Sequence, residues 1–230
     1  MSRLRKWIIL AVACLLIGAA VVAIWWRVHK ARLVEESQDS AKCFSDGATD
    51  TPTEHYFPSN SFSLTPELES VRRAFVSDVL INAKEPSLAS FIGCAGESYR
   101  FLLIHTNDPP VIVRVWRSGN TAQLIAKQFN GDGGRNFGVV AIENTRPISE
   151  NEWDTFRVLV DRALFWSLPQ TDASSPKSDI GSLWVFEAVR MGQHRVVSRW
   201  MPRDESYRKC GLYLLTISGL EIDEQRYKVE

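Results

Sequence analysis

Twenty consecutive residues, Trp7 to Trp26, carry no charged and no strongly polar side chain, and no other feature constrains the chain as much. At about 1.5 Å per residue a helix of that length spans about 30 Å, the hydrocarbon thickness of a bilayer. Ten of the twenty are Ile, Leu or Val. At central positions these contribute roughly −3 to −6 kcal/mol to insertion. Trp7 at one end and Trp25 with Trp26 at the other have the placement of interfacial anchors. The expectation is a transmembrane helix over 7–26, with the lipid bilayer as its partner. A cleavable signal peptide would need small residues at a cut, but Ile24, Trp25 and Trp26 carry the apolar run past Ala19, Ala20 and Ala23. Cys14 has too few apolar residues before it for a lipidation site and reads as lipid-facing.

Charge sets the orientation less sharply. Arg3, Arg5 and Lys6 precede the run, while Arg27, Lys30 and Arg32 follow it, a tie by the positive-inside rule. The short basic tail at 1–6 and the amino terminus favour a cytoplasmic N-terminus. That places the rest outside the cytoplasm, as a domain held at the inner membrane by one pass. The full chain balances 27 basic against 27 acidic groups. The six basic groups of the first 32 residues leave the remainder acidic, which argues against nucleic acid as a partner.

Residues 27–64 read as a juxtamembrane tether rich in Ser, Thr, Asp, Glu and Pro, with Phe44, Tyr56, Phe57 and Phe62 able to dock on the domain beyond it. Residues 65–230 read as one globular domain. Thr65, Pro66, Glu67 and Glu69 mark a helix start, and Leu68, Val71, Phe75 and Val79 form a stripe expected to face the core. Strands come next over 99–104, 111–117, 121–129 and 138–143, separated by Asn-, Asp-, Pro- and Gly-containing turns. Alternation puts Phe101, Leu103, Val111, Val113, Val115, Leu124 and Ala126 on one apolar face. The other face carries Arg100, Arg114, Trp116, Gln123 and Lys127 beside Leu102, Ile104, Ile112 and Ile125. Ser149 and Glu152 form a capping box before a helix ended by Pro169. A hairpin over 183–190 and 194–200 and a last helix capped by Asp204 complete an antiparallel α+β domain, a meander plus a C-terminal hairpin with about three helices.

Tyr99-Arg100-Phe101, Gly131-Asp132-Gly133-Gly134, Phe165-Trp166 with Leu168-Pro169, Trp184-x-x-Glu187, Gly192 and His194-Arg195-Val196-Val197 stand out, as does Arg199-Trp200-x-Pro202. In this order they resemble a group of uncharacterised bacterial proteins over about residues 90–220. Where that group carries Asp-Gly ahead of Trp-x-x-Glu, this chain reads Asp179-Ile180-Gly181. The resemblance implies a shared fold and no activity, so it assigns no catalytic residue.

Chemistry-bearing residues are few. His29, His55, His105 and His194 lack metal-ligand spacing, so neither a metal nor a cofactor is expected. No nucleophile elbow, zinc helix or phosphate loop is present. The run Asn130–Asn136 fails the calcium-loop pattern and reads as a flexible hairpin loop. Cys210 falls on the apolar face of the last helix, as an inert thiol. Cys43 and Cys94 lie in loops and could pair as a disulfide in an oxidising compartment, or Cys94 could act as a thiol with His105. Glu187 is the oddest residue. It shares a strand face with Leu183, Val185, Val189, Val196 and Trp200, where a buried carboxylate needs a cationic or hydroxyl partner. Arg100, Arg114 and Lys127 beside Trp116 are either a solvated face or a site for a small anion. The leading expectation is therefore a membrane-held binding, structural or sensory domain, with a protein or small anion as partner. The alternative is a tethered hydrolase using Glu187.

For the hairpin, a Met191-Gly192 turn sets Trp184 opposite Arg199 and Glu187 opposite Val196. The alternative register juxtaposes Arg190 and Arg195, a repulsive pair. The preferred register is expected to lay the Arg199 guanidinium over the Trp184 ring.

Overall fold

Alternation along β1 (Glu97–His105) builds two different faces, and both are covered. A computed structural model describes residues 18, 21–32, 42–44, 56–62, 65–172 and 180–222. The chain divides into two units, Met1–Asp39 and Ser40–Glu230. In the first, residues 21–32 form a helix, α1, in which Trp25 stacks on His29 at 5.2 Å. Most of the run from Trp7 to Trp26 lies outside the described residues. Among those described, no helix is long and apolar enough to cross a membrane.

The second unit is an α+β fold around a six-stranded antiparallel sheet. β2 (Val111–Ser118), β3 (Thr121–Phe129) and β4 (Val140–Pro147) extend from β1 as a meander. β5 (Ser182–Arg190) then returns to the other side of β1, with β6 (Gln193–Trp200) beyond it, giving the order β4-β3-β2-β1-β5-β6. β1 is thus a central strand, enclosed on both faces and both edges. β4 begins two residues later than expected, because the Asn130 amide donates to Val139 O at 3.1 Å and Gly138 (φ 72°) turns the chain.

One face packs against α3 (Glu150–Arg162) and α4 (Glu205–Ile217). Phe101, Val113, Leu124, Trp184 and Phe186 meet Trp153, Phe156, Tyr207 and Leu214 there. The Ser149–Glu152 capping box starts α3, and two Asp204 hydrogen bonds start α4. The other face packs against α2 (Pro66–Asn82) and residues 56–62, with Tyr56, Phe57 and Phe62 all buried. Phe44 joins Leu88, Phe91, Trp116 and Val189 in a third cluster. The folded unit therefore reaches back to Ser40, and the docking aromatics of the expected tether are core residues.

The α2 stripe is corrected only in its first half, since Val79 is buried and Phe75 packs on the core as expected. Leu68 and Val71 are exposed, and Val76, Val79 and Leu80 face inward with Glu69. The Glu69 carboxylate accepts the amides of Ser61 (2.9 Å) and Phe62 (2.8 Å), which fixes the rotation of the helix. In the Asn130–Asn136 loop Gly133 is buried and the Gly134 amide donates to His105 O at 3.1 Å, while Asn130, Asp132, Arg135 and Asn136 are exposed. A Cβ at Gly133 would meet Asp108 N at 2.5 Å, so the backbone approach excludes a side chain.

The hairpin takes the expected register, with Trp184 opposite Arg199 and Arg190 opposite Gln193. Met191 (φ 51°) and Gly192 (φ 75°) both adopt the left-handed conformation of a type I′ turn. The cation–π partner differs. Arg199 lies 5.6 Å from the Tyr207 ring, and its N–H groups donate to the carbonyls of Pro169, Gln170 and Ser198. The Trp184 indole instead donates to the Ser182 hydroxyl.

Gly211 tests the packing of α4 on the sheet. A Cβ there would lie 2.6 Å from the Trp184 ring and 2.9 Å from the Phe101 ring. Alanine improves helix propensity by about 1 kcal/mol, yet overpacking costs roughly 1–3 kcal/mol. Gly211→Ala is expected to lower the urea unfolding midpoint; a raised midpoint would contradict this contact.

Candidate functional site

Cross-strand register puts Arg100 of β1 directly opposite Glu187 of β5 and Arg114 of β2. Two neighbouring cations on one sheet face need more than one carboxylate. The second is Glu85, three residues past the end of α2 and completely buried. Its Oε2 accepts from Arg114 Nε at 2.8 Å and lies 3.7 Å from Arg100 Nη1, while Lys127 Nζ lies 2.9 Å from Oε1. Glu187 pairs through Oε2 with Arg100 Nη2 and through Oε1 with His194 Nε2 at 2.8 Å. An ionised carboxylate only accepts, so Nε2 carries the proton in that bond.

The remaining donors end on carbonyls: Arg100 on Pro86 O (2.6 Å), Arg114 on Phe44 O (3.1 Å), Lys127 on Ala83 O (2.8 Å). The Tyr56 hydroxyl donates to Glu85 O. Trp116, stacked on Phe44 at 5.7 Å, closes one side. Arg100, Arg114, Trp116, Lys127 and Glu187 are therefore brought together, but beneath residues 42–44, 56–62 and the end of α2 rather than on a solvated face. Three cations, two carboxylates and a histidine form an enclosed ion network.

Burial alone would raise the Glu85 carboxyl, but Arg114, Lys127 and Arg100 outweigh it and hold the pKa down to about 2. Glu187 is likewise lowered, with burial opposed by Arg100 and His194. On the opposite face burial pushes the Cys210 thiol up to about 12, which makes it inert. Cys94 is joined to Cys43 with Cα atoms 6.0 Å apart, so it is not a free thiol beside His105. His105 Nδ1 instead lies 3.0 Å from Asp108 Oδ2.

An open cleft of about 480 Å³ lies elsewhere, at the sheet end where β1 starts and β2 and β5 finish. Its lining includes Arg117, Arg157 and Arg190, with Glu97 between them and the Cys94 end of the disulfide on one wall. Sequence reading missed this site because its cations come from two strands and a helix far apart in the chain. The signal for Glu85 was a burial imbalance: three cations on one face, with Glu187 as the buried carboxylate there and Glu143 beside Lys127 largely exposed. Searches against family models and curated proteins find no match for the chain.

The network makes two predictions. Glu187→Ala removes the carboxylate that Arg100 contacts directly, leaving it only Glu85 at 3.7 Å, and should destabilise the fold by roughly 3–5 kcal/mol in urea unfolding. Replacing both partners, Arg100→Met with Glu187→Leu, should cost less than that single change. The depressed carboxyls also set a pH window. The stability from Glu85 is complete above about pH 4.5 and is lost as pH falls through about 2. Urea midpoints should fall across that range, and less steeply in Glu85→Gln.

Proposed function

We propose that the chain is a single-pass membrane protein that presents its α+β domain outside the cytoplasm, where the domain binds a partner or ligand. The Cys43–Cys94 disulfide carries this reading. It ties the segment after the apolar run to the central sheet, and such bonds persist in oxidising compartments. The uncharged run from Trp7 to Trp26 supplies the anchor, with three basic residues before it on the cytoplasmic side.

Binding is favoured over hydrolysis by the state of Glu187. Both of its oxygens are engaged, by Arg100 and His194, and the residue is 1% exposed. A general base must reach a proton on substrate, and this carboxylate is walled in. Its work is to hold β1 against β5. The cleft at the sheet end, by contrast, is open to a ligand.

Topology is tested by fusing a reporter that is active only in the cytosol after Glu230. The expected result is a silent reporter, with Cys43 and Cys94 resistant to maleimide until reductant is added. Strong reporter activity, or two thiols reactive without reductant, would overturn the reading.

A further inference from the structure

From the cleft at the sheet end we infer a binding site for the oxyanion of a small organic molecule, a carboxylate or a phosphate. The site does not depend on which side of a membrane the domain occupies. Its frame is the sheet itself. Glu97, the first residue of β1, is paired in register with Arg117 at one edge and Arg190 at the other. These three residues form a row across the ends of three adjacent strands, and α3 adds Arg157 to the same cleft.

Small residues line this end of the cleft, and Gly96 lets the backbone pass close to Arg117. Gly96 has φ 144°, and a Cβ there would meet Arg117 O at 2.3 Å. Ala95 and Gly119 line the cleft beside it.

Each guanidinium is oriented by protein groups that use only part of its donor set. Arg157 is held by Glu97 and the Tyr99 hydroxyl, with Asp161 at 3.7 Å. Arg117 donates to Glu150 at 2.7 Å and to Gly119 O at 3.2 Å. Arg190 rests against the Trp166 ring at 5.9 Å, and no described carboxylate lies within ion-pair distance of it. Arginine has five donors in a planar fork that matches carboxylate and phosphate oxygens.

Charge and size agree with that ligand. The lining carries three guanidiniums and one carboxylate, and Glu97 already serves Arg157 and Tyr99. Glu150 and Asp161, the other acids nearby, are mostly exposed and lie outside the lining. Arg117 and Arg157 have carboxylate partners in Glu150, Glu97 and Asp161, so the positive charge left for a ligand is that of Arg190, and a concave surface concentrates its counter-ion. The volume suits a small metabolite rather than a polymer. Met191 at the rim offers an apolar contact for its carbon skeleton.

The test is isothermal titration of the full-length oxidised chain in detergent with inorganic phosphate and, separately, with succinate, at matched ionic strength. One or both should bind saturably at one per chain, and the arm that responds identifies the oxyanion. Arg190→Gln and Arg117→Gln should each weaken binding at least tenfold. Lys209→Gln on α4, away from the cleft, should leave it unchanged. Arg190 is at a hairpin end, so its variant should retain the wild-type melting temperature; if it does not fold, Arg117→Gln decides. Absence of saturable binding in both arms, or binding that survives the arginine changes, would overturn the site.

Discussion

One completely buried carboxylate, Glu85, sets the arrangement of everything on its side of the sheet. It meets Arg114, Lys127 and Arg100, which come from three consecutive strands. Without it those strands would present three desolvated cations against Glu187 and the half-exposed Glu143, 3.8 Å from Lys127, at a cost of several kcal/mol per unpaired ion. Its position just past α2 means that the helix must dock where the carboxylate reaches the strands. The carbonyls of Ala83, Pro86 and Phe44 accept further donors of these cations, so the backbone at the end of α2 and at residue 44 is fixed by the same network. The disulfide from Cys43 to Cys94 reinforces that attachment covalently.

The two sheet faces thus hold their covering layers by different physics. Toward α3 and α4 the contact is apolar and aromatic, with Tyr207 inside and its one hydroxyl proton shared between the carbonyls of Trp184 and Val197, 3.0 and 3.1 Å away. Burial gives such a layer stability but little direction. Toward α2 and residues 56–62 an apolar cluster surrounds a charged centre whose bonds are directional. The short segments 42–44 and 56–62 gain a defined seat from those bonds together with their buried aromatics. The cost of that arrangement is sensitivity to acid, because the carboxylates must stay ionised.

How much of the molecule is legible in its chain depends on how far each signal reaches. Strand alternation, the Ser149 capping box and the Met191-Gly192 turn are local, and the antiparallel α+β domain and hairpin register are legible from them. Glu187 was legible as a buried acid in need of a cation, and Arg100 as a cation on a half-apolar face. That the two face each other was not, because β5 joins the sheet beside β1 across some eighty intervening residues. Glu85 has no periodic signature, since it sits in the loop after a helix. Leu68 and Val71 misled because helical spacing sets them in line with Phe75 and Val79, which do pack inward, but not how far along α2 the core contact extends. Here the hydrogen bonds from Ser61 and Phe62 to Glu69 decided it.

The central claim is that Glu85 couples energetically to the strand cations, and a double-mutant cycle reads that coupling directly. Glu85→Gln, Arg114→Met and the double variant, compared by urea unfolding at pH 7, isolate the pair. The account predicts a coupling energy above about 1.5 kcal/mol, with the double variant more stable than the sum of the single losses implies. Additive losses within about 0.5 kcal/mol would contradict it, leaving α2 and residues 42–44 and 56–62 held by apolar packing and the disulfide alone.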